Sequence, residues 1–192
     1  MTVSPFDHPL LSGLLGDEEA ARHFSVEADI AAMLAFERAM AAFRPDTAKL
    51  RAGVARDGVV VPELVRQIRA AVGGQHSEFV HFGATSQDVI DSSLVLRLSG
   101  AVDHIGLLLS ENIVRLAGLE QDFGGRALMA MTRMQPAIPI TVGDRIASWR
   151  APLERHQLRL KEQSARLLVV QFGGAAGTLE KLGDKAPAVR AA

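Results

Sequence analysis

The sequence predicts an all-α fold with long helices at its centre, and three observations support this prediction. Apolar side chains recur every three or four residues over long stretches, which is the spacing of one helix face. Aromatic residues make up only 5% of the 192 residues and tyrosine is absent. Such a composition favours helices over sheets. The longest periodic stretch covers about 35 residues, well beyond a typical helix in a small domain.

Short helices are predicted in the first part of the chain. Helical spacing of apolar residues follows Ser25 and extends over about residues 25–43. A second short helix is predicted to begin at Pro45-Asp46. A third is predicted to begin near Pro62 and to end at Gly73-Gly74. We therefore assign residues 1–100 to an N-terminal helical domain.

Two long helices are predicted in the remainder of the chain. The first begins near Thr85, has a local irregularity at Gly100 and ends before Gly124-Gly125. It is apolar over much of its circumference. Such a helix needs other helices on several sides. The second is predicted over about residues 141–170. We assign residues 101–192 to the first part of a central helical bundle that is truncated here, because a new helix is just starting at the end of the sequence.

Composition excludes several classes of function. Lys and Arg together number 21 against 22 Asp and Glu, so no basic field is present to bind a nucleic-acid backbone. The absence of cysteine excludes disulfides and thiolate metal sites, and with no signal peptide it predicts a reducing cytoplasm. No uninterrupted apolar run reaches the roughly 20 residues of a membrane span. The six histidines show no paired spacing, so no metal site is expected.

The first candidate for chemistry is the segment 81–88, HFGATSQD, where a loop meets the long helix. Thr85 or Ser86 can cap this helix, and the free N–H groups at its start favour an anion such as a carboxylate. A purely structural explanation is also available, in which Thr85 and Asp88 form a capping box and Gly83 makes a turn. On the local pattern alone, the structural explanation is the better one.

Two further segments combine polar or glycine residues with breaks in the helical pattern. Segment 132–139, TRMQPAIP, is predicted to be irregular because two prolines stop helix formation. There Arg133 can bind a carboxylate through two hydrogen bonds, or it can be an ordinary solvated loop arginine. Segment 172–178, FGGAAGT, is either an anion-binding nest or a turn between helices. It lacks the Lys-Ser/Thr ending of a nucleotide P-loop.

Together and in this order, the three segments resemble the fumarase/aspartase superfamily. HFGATSQDVIDS at residues 81–92 resembles its first shared region, whose Thr-Ser pair holds a substrate carboxylate. TRMQPAIPITVG at residues 132–143 resembles the second region, usually written around Thr-His-x-Gln-x-Ala-x-Pro. GGAAGT at residues 173–178 resembles the glycine-rich turn that follows. The resemblance extends over essentially the whole chain, and three motifs in sequence order are far more specific than any one of them.

Within the superfamily, GATSQDVIDS at residues 83–92 and FGGAAGTLEKLGDKAPAVRAA at residues 172–192 are most similar to the 3-carboxy-cis,cis-muconate cycloisomerases. The resemblance implies conversion of 3-carboxy-cis,cis-muconate to 4-carboxymuconolactone in protocatechuate breakdown, without a cofactor or a metal, by a cytoplasmic homotetramer. It also implies two sets of site residues. Those expected to be catalytic are His81, Ser86 and Arg133, and those expected to bind substrate are Thr85, Ser86, Gln87, Thr132, Arg133, Gln135 and Thr178.

The chain departs from the superfamily pattern at two points. Arg133 stands where many family lyases carry a catalytic histidine, which argues against standard adenylosuccinate or fumarate chemistry. The Gly-Ser-Ser-x-Met-Pro loop that supplies the family's catalytic serine is not found before Ala192, so the chain is expected to lack part of its active site. Two alternatives therefore stay open: an adenylosuccinate lyase-like or other dicarboxylate lyase, and an inactive helical fragment.

Overall fold

The computed structural model describes residues 16–37 and 43–191. Helices dominate these ranges, and one pair of antiparallel strands is present. The elements in chain order are α1 (Glu18–Ala21), α2 (Val26–Phe36), α3 (Thr47–Asp57), α4 (Val61–Val72), α5 (Ser86–Phe123), β1 (Ala127–Thr132), β2 (Gln135–Thr141), α6 (Val142–Leu167) and α7 (Ala186–Ala191). Three short 3₁₀ segments in the described ranges are Arg22–Phe24, Gly74–Phe79 and Glu180–Lys185.

The short helices form where the sequence predicts them, because each carries its own start and stop signals. Ser25 caps α2 by accepting a hydrogen bond from the Ala28 N–H, and Asp46 caps α3 in the same way. Helix α4 has a proline in its first turn, and Gly73 follows its last residue. Of the helix predicted over residues 25–43, residues 38–42 lie outside the described ranges.

The first helices share a hydrophobic core with the beginning of α5. Its buried side chains are Met33, Leu50, Val61, Leu64, Val65, Ile68 and Val89. Helices α3 and α4 approach closely where Gly53 faces Glu63, since a Cβ at Gly53 would lie 2.5 Å from the Glu63 Cβ. This packing buries the Glu63 side chain, whose carboxylate stays ionised by pairing with the Arg66 guanidinium at 2.5 and 2.8 Å.

The long helix α5 confirms the prediction made from its apolar spacing. It covers 38 residues without interruption, so the local irregularity expected at Gly100 does not occur. Its length corresponds to about 57 Å at 1.5 Å per residue. By length and mean hydropathy alone, this helix could also cross a membrane. In the described structure, 17% of its most apolar window is buried. One helix of this kind is a weak indication, because the core helix of a helical bundle passes the same test.

The segment predicted to be irregular, residues 132–139, is in fact part of a β-hairpin. Strands β1 and β2 pair antiparallel, with Ala127 opposite Thr141 and Thr132 opposite Gln135. The two prolines fit because a two-stranded sheet has only edge strands, and the register is irregular between Met129 and Met131. The prolines do stop helix formation, but the chain between them remains extended rather than irregular.

Helix α6 ends three residues earlier than the predicted boundary at Val170, and it contains Pro152 within its length. It packs against the later part of α5 through two polar contacts. The Gln157 amide donates to the Ser110 hydroxyl at 2.6 Å, and Arg150 pairs with Glu120. The last short helix α7 begins at Ala186, as predicted.

The described chain divides into two compact units. The first consists of residues up to Leu98 together with residues from Leu168 onward, and the second consists of Ser99–Leu167. Residues 168–191 therefore lie with the N-terminal helices, although the sequence analysis assigned them to the second domain. The domain boundary proposed at residue 100 stays a prediction.

Candidate functional site

The loop before α5 holds the first predicted motif in a strained conformation. His81 has a backbone φ of 61°, a left-handed value that residues other than glycine seldom adopt. The Ala84 N–H donates to the His81 carbonyl at 3.4 Å, and the Arg69 guanidinium donates to the Val80 carbonyl at 3.0 Å. Contacts from two directions thus fix the loop that leads to Thr85.

Asp88 joins this helix start to the glycine-rich turn, which is the third predicted motif. Its side chain is buried at 2% exposure, and its two carboxylate oxygens accept three backbone hydrogen bonds. The donors are the N–H groups of Thr85, Gly173 and Gly174, each at 2.9 Å. Because three N–H donors surround the carboxylate, neither of its oxygens is buried without a hydrogen-bond partner. The structure therefore brings the first and third motifs together in one unit.

Glycine is required at Gly174 for two reasons. Its φ is +70°, and a Cβ there would lie 2.8 Å from the Gly83 carbonyl oxygen. Gly83 itself has a φ of +77°, and a Cβ there would lie 3.3 Å from the Leu182 side chain. The loop before α5 and the glycine-rich turn are therefore in direct backbone contact.

Two more contacts fix Gln171 and Phe172, the residues that lead into the glycine-rich turn. The Ser92 hydroxyl donates to the Gln171 carbonyl at 2.9 Å and accepts from the Gln171 N–H at 3.1 Å. The Phe36 ring packs edge-on against Phe172, with ring centroids 6.3 Å apart. The end of α2, the start of α5 and the glycine-rich turn consequently meet around one point.

A comparison within the chain shows that the start of α5 is not an ordinary capping box. Helix α6 begins with the same Thr-x-x-Asp pattern, and there the Thr141 hydroxyl accepts from the Asp144 N–H at 3.0 Å while Asp144 accepts from the Thr141 N–H. At α5 the second arm is present, from the Thr85 N–H to Asp88, but no hydrogen bond from the Asp88 N–H to the Thr85 hydroxyl is found, and the Asp88 carboxylate also accepts from the glycine-rich turn. The Thr85 hydroxyl has no hydrogen bond to any residue in the described ranges.

The start of α5 thus combines several donors with no partner inside its own helix. The first N–H groups of a helix lack intrahelical acceptors, and the helix dipole places partial positive charge there. The half-buried hydroxyls of Thr85 and Ser86 stand beside those groups. This arrangement suits a carboxylate, as the family resemblance implies for the first motif. The purely structural explanation therefore accounts for Asp88 but not for Thr85 and Ser86.

Two of the predicted binding residues have side chains that are engaged elsewhere. The Gln87 amide donates to Asp91 at 2.6 Å on an exposed face of α5. The Thr178 hydroxyl donates to Glu180 at 2.6 Å, and this hydrogen bond lowers the pKa of the Glu180 carboxyl. To bind substrate, either side chain would have to exchange this contact for a new one.

The second predicted motif forms the tip of the β-hairpin in the other compact unit. Arg133 and Met134 make the turn with φ values of 42° and 64°, which is strained for residues other than glycine. Thr132, Arg133 and Gln135 are all exposed, and Arg133 forms no ion pair within the described part of the chain. Whether these residues serve the same site as Thr85 stays a prediction.

The described ranges contain no cluster of side chains that could bind a metal ion. Within residues 16–37 and 43–191, no group of three or more His, Asp or Glu side chains is arranged to hold a metal ion. The expectation of a reaction without metal or cofactor rests on the chemistry of the proposed reaction, which we give below.

Comparison with known proteins assigns the family. The family described as lyase matches residues 21–191, which is most of the chain. The chain belongs to this lyase family of the fumarase/aspartase superfamily. The resemblance inferred from the three motifs is thereby confirmed.

Individual relatives of the lyase family give more detail. A 3-carboxy-cis,cis-muconate cycloisomerase from Bradyrhizobium diazoefficiens is 40% identical over 158 residues, covering 81% of this chain and 35% of that protein. The crystal structure of a fumarate lyase from Mesorhizobium sp. BNC1 matches with a TM-score of 0.85 and 29% identity. That of a beta-carboxy-cis,cis-muconate cycloisomerase from Acinetobacter calcoaceticus sp. ADP1 matches with a TM-score of 0.80 and 25% identity.

These matches confirm the all-α fold class, with its fumarase-like helical arrangement. The two structural matches cover 91% and 90% of this chain and 46% of each matched chain. The chain therefore spans less than half the length of these lyase-family relatives.

Sequence reasoning missed two features of the site. It treated Asp88 only as a capping residue, although Asp88 binds the glycine-rich turn 85 residues away. It also passed over Glu37, whose carboxylate lies 2.5 Å from the His81 ring. No local pattern marks Glu37, because its partner is 44 residues distant in the sequence.

Proposed function

We propose that this protein is a cycloisomerase that converts 3-carboxy-cis,cis-muconate to 4-carboxymuconolactone. The observation that carries the proposal is the start of α5, where Asp88 is engaged by the glycine-rich turn and the hydroxyls of Thr85 and Ser86 stay available. A helix start of this kind suits a substrate carboxylate. The printed names of two matched relatives, both muconate cycloisomerases, support the choice of substrate.

The reaction is an internal addition that conserves all atoms. A carboxylate oxygen of the substrate forms a bond to one carbon of a double bond, and the neighbouring carbon, next to another carboxylate, gains a proton. No electrons are exchanged with a second molecule, so no redox cofactor is needed.

The barrier to this reaction arises because negative charge builds on the carboxylate beside the carbon that gains the proton. Preorganised hydrogen-bond donors lower this barrier. Thr85, Ser86 and the α5 N-terminus supply such donors in the proposal, and Gln87 and Thr178 are further candidates that would first have to release their present partners.

His81 is the candidate for moving the proton, because it is the only histidine within one of the three motifs. An imidazole ring has two nitrogens that can each give or take a proton, which suits this role. Ser86 and Arg133 are the other two residues proposed to act in catalysis.

The second carboxylate-binding point, besides the start of α5, is assigned to the hairpin tip. The substrate carries three carboxylates, and a site that encloses them needs charge-assisted donors at more than one point. Arg133 can bind a carboxylate with two parallel hydrogen bonds, and Thr132 and Gln135 can add neutral ones. We propose that this tip serves the site of its own subunit or that of a neighbouring one.

Assembly and location belong to the same proposal. The helices of the second unit expose large apolar side chains, among them Leu107, Val114 and Leu158. Exposed apolar surface of this extent suggests association with further helices, and a homotetramer is proposed from the family. A cytoplasmic location is proposed from the lack of cysteine.

The function is tested by offering the purified full-length protein several substrates side by side. Loss of 3-carboxymuconate is followed by its ultraviolet absorbance, and the product is identified by proton NMR. The proposal expects turnover of 3-carboxymuconate to the lactone and no comparable turnover of adenylosuccinate or fumarate. Turnover of adenylosuccinate or fumarate alone would establish the alternative of a dicarboxylate lyase, which the Mesorhizobium fumarate lyase match favours. No turnover of any of the three would favour a helical protein without this activity.

A further inference from the structure

A buried contact between the Glu37 and His81 side chains links the end of α2 to the first motif. The Glu37 carboxylate lies 2.5 Å from Nδ1 of His81, and the two side chains are only 4% and 16% exposed. A carboxylate that is removed from water needs a partner, because an unpaired buried charge is strongly unfavourable. His81 provides that partner, so the contact is part of the folded structure.

The backbone of His81 is held in an unfavourable conformation by the same surroundings. A φ of 61° at a histidine is tolerated only where neighbouring contacts impose it. Arg69 holds the preceding carbonyl, and the Ala84 N–H holds the carbonyl of His81 itself. Strain of this kind concentrates at sites that need one particular geometry.

The position of Glu37 connects it to the elements around the start of α5. It follows directly after Phe36, the last residue of α2, which packs against Phe172 just before the glycine-rich turn. The carboxylate of Asp88 is engaged by three backbone N–H groups, and the guanidinium of Arg69 is bonded to a backbone carbonyl. Among the described contacts, it is the Glu37 carboxylate that reaches the His81 ring.

We propose that Glu37 is a positioning residue for His81. It holds the ring proton on Nδ1, which leaves Nε2 for the substrate, and it stabilises the ring when Nε2 also carries a proton. This inference rests on the proposed function for its kinetic part, because His81 is assigned there to proton transfer. Its structural part, the proton on Nδ1, is independent of any activity.

Four variants of the full-length protein separate positioning from simple stabilisation. In Glu37→Gln the amide can turn and donate to Nδ1, which allows the ring proton to move to Nε2. In His81→Asn the amide can still donate to Glu37, and asparagine tolerates the left-handed backbone. The double variant combines both changes. Glu63→Gln is the control, since Glu63 is another buried carboxylate of the same unit and is bonded to Arg66.

The kinetic readout is the split between kcat and KM for 3-carboxymuconate. We expect Glu37→Gln to lower kcat by about tenfold or more with a smaller change in KM. We expect the double variant to be no slower than His81→Asn alone, because Glu37 acts only through His81. Glu63→Gln should keep the wild-type kcat. Additive losses in the double variant, or an unchanged kcat in Glu37→Gln, would overturn the kinetic part.

The spectroscopic readout is the tautomer of His81, measured by long-range ¹H–¹⁵N correlation of protein labelled on histidine. The His81 signal is assigned as the one that disappears in His81→Asn. We expect a protonated Nδ1 in the wild type and a shift toward protonated Nε2 in Glu37→Gln. A wild-type His81 with its neutral proton on Nε2 would overturn the inference whatever the kinetics show. If the tautomer is as expected but 3-carboxymuconate is not turned over, then the proposed function fails and the positioning of His81 stands.

Discussion

At the scale of single residues, Asp88 has the largest structural role that the described contacts assign. It accepts hydrogen bonds from three backbone N–H groups that belong to two motifs separated by 85 residues. Each N–H would otherwise be a buried donor without an acceptor, which costs about 1–3 kcal/mol. This carboxylate therefore ties the start of α5 to the glycine-rich turn.

Replacing Asp88 tests that role. Asp88→Asn substitutes an amide NH₂ for one accepting oxygen and places it against N–H donors, so we expect a loss of about 2–4 kcal/mol in the free energy of unfolding. The measurement is urea denaturation followed by circular dichroism. Asp91→Asn is the matched control one turn later, where the contact to Gln87 is exposed, and its effect should stay within about 0.5 kcal/mol. Equal effects of the two variants would contradict the role given to Asp88.

The glycine-rich turn offers a second test at this scale. Gly174 and Gly177 both have positive φ, but only at Gly174 would a Cβ meet a backbone oxygen, at 2.8 Å. Gly177→Ala should therefore cost about 1–2 kcal/mol for the left-handed backbone alone. Gly174→Ala should cost clearly more, because the Gly83 carbonyl must also move. Thermal unfolding of both variants decides this, and an equal loss in the two would show that the backbone contact does not matter.

How far single residues could be predicted depends on the range of their contacts. Ser25 and Asp46 cap helices through residues three positions away, and the sequence locates both helix starts. Thr85 and Ser86 were identified as candidates because they also stand at a helix start. Glu37 could not be identified, because its meeting with His81 depends on how α2 packs in three dimensions.

At the scale of elements, helices were predictable and the hairpin was not. The helical spacing of α5 extends over many turns, so the prediction of its boundaries rests on many residues. Strands β1 and β2 have only six and seven residues, contain two prolines and are joined by Arg133-Met134 rather than by Asn-Gly. The strongest hairpin signal is therefore missing from the sequence.

The strained hairpin turn leads to a stability prediction. Met134 has a φ of 64° and is 94% exposed, so its side chain contributes little packing in the described structure. Met134→Gly should remove the strain of the left-handed backbone and stabilise the protein by up to about 1 kcal/mol. Differential scanning calorimetry should show a raised Tm. A lowered Tm would mean that Met134 makes stabilising contacts in the assembled protein.

The junction between α3 and α4 leads to a prediction about pH. Hydrogen bonds from Arg66, and then from Gln67, hold the pKa of the Glu63 carboxyl below its ordinary value of 4.5. A lowered pKa means that the ionised form stabilises the folded state above pH 4.5 and that this contribution is lost as the pH falls further. Glu63→Gln should therefore lower Tm at neutral pH, and the difference from wild type should shrink below pH 4.5. A difference independent of pH would contradict this assignment.

At the scale of the whole molecule, the family and the fold class were predictable because three motifs occur in one order on a long-helix pattern. No single motif was sufficient, since the same Thr-x-x-Asp pattern caps α6 as an ordinary box. The division into compact units was less predictable, because residues 168–191 return to the first unit through Ser92, Asp88 and Phe36. Such a return leaves no local pattern in the sequence.

We propose above that the protein binds a polycarboxylate substrate at two points, the start of α5 and the hairpin tip of the same or a neighbouring subunit. Arg133 is the charged residue of the second point, and it has no ion pair among the residues described here. Losing one charged hydrogen bond removes about 1.5–3 kcal/mol of binding, and Arg133 can make two. The matched control is Arg126→Ala at the base of the hairpin, where the guanidinium lies 4.5 Å from the Phe123 ring centroid.

The most direct test is kcat/KM for 3-carboxymuconate in Arg133→Ala, measured beside wild type and Arg126→Ala in the full-length protein. We predict a fall of about tenfold to a thousandfold for Arg133→Ala and a change below about threefold for Arg126→Ala. Unchanged kcat/KM in Arg133→Ala would contradict the claim, and would return Arg133 to the role of an ordinary exposed arginine at a strained turn.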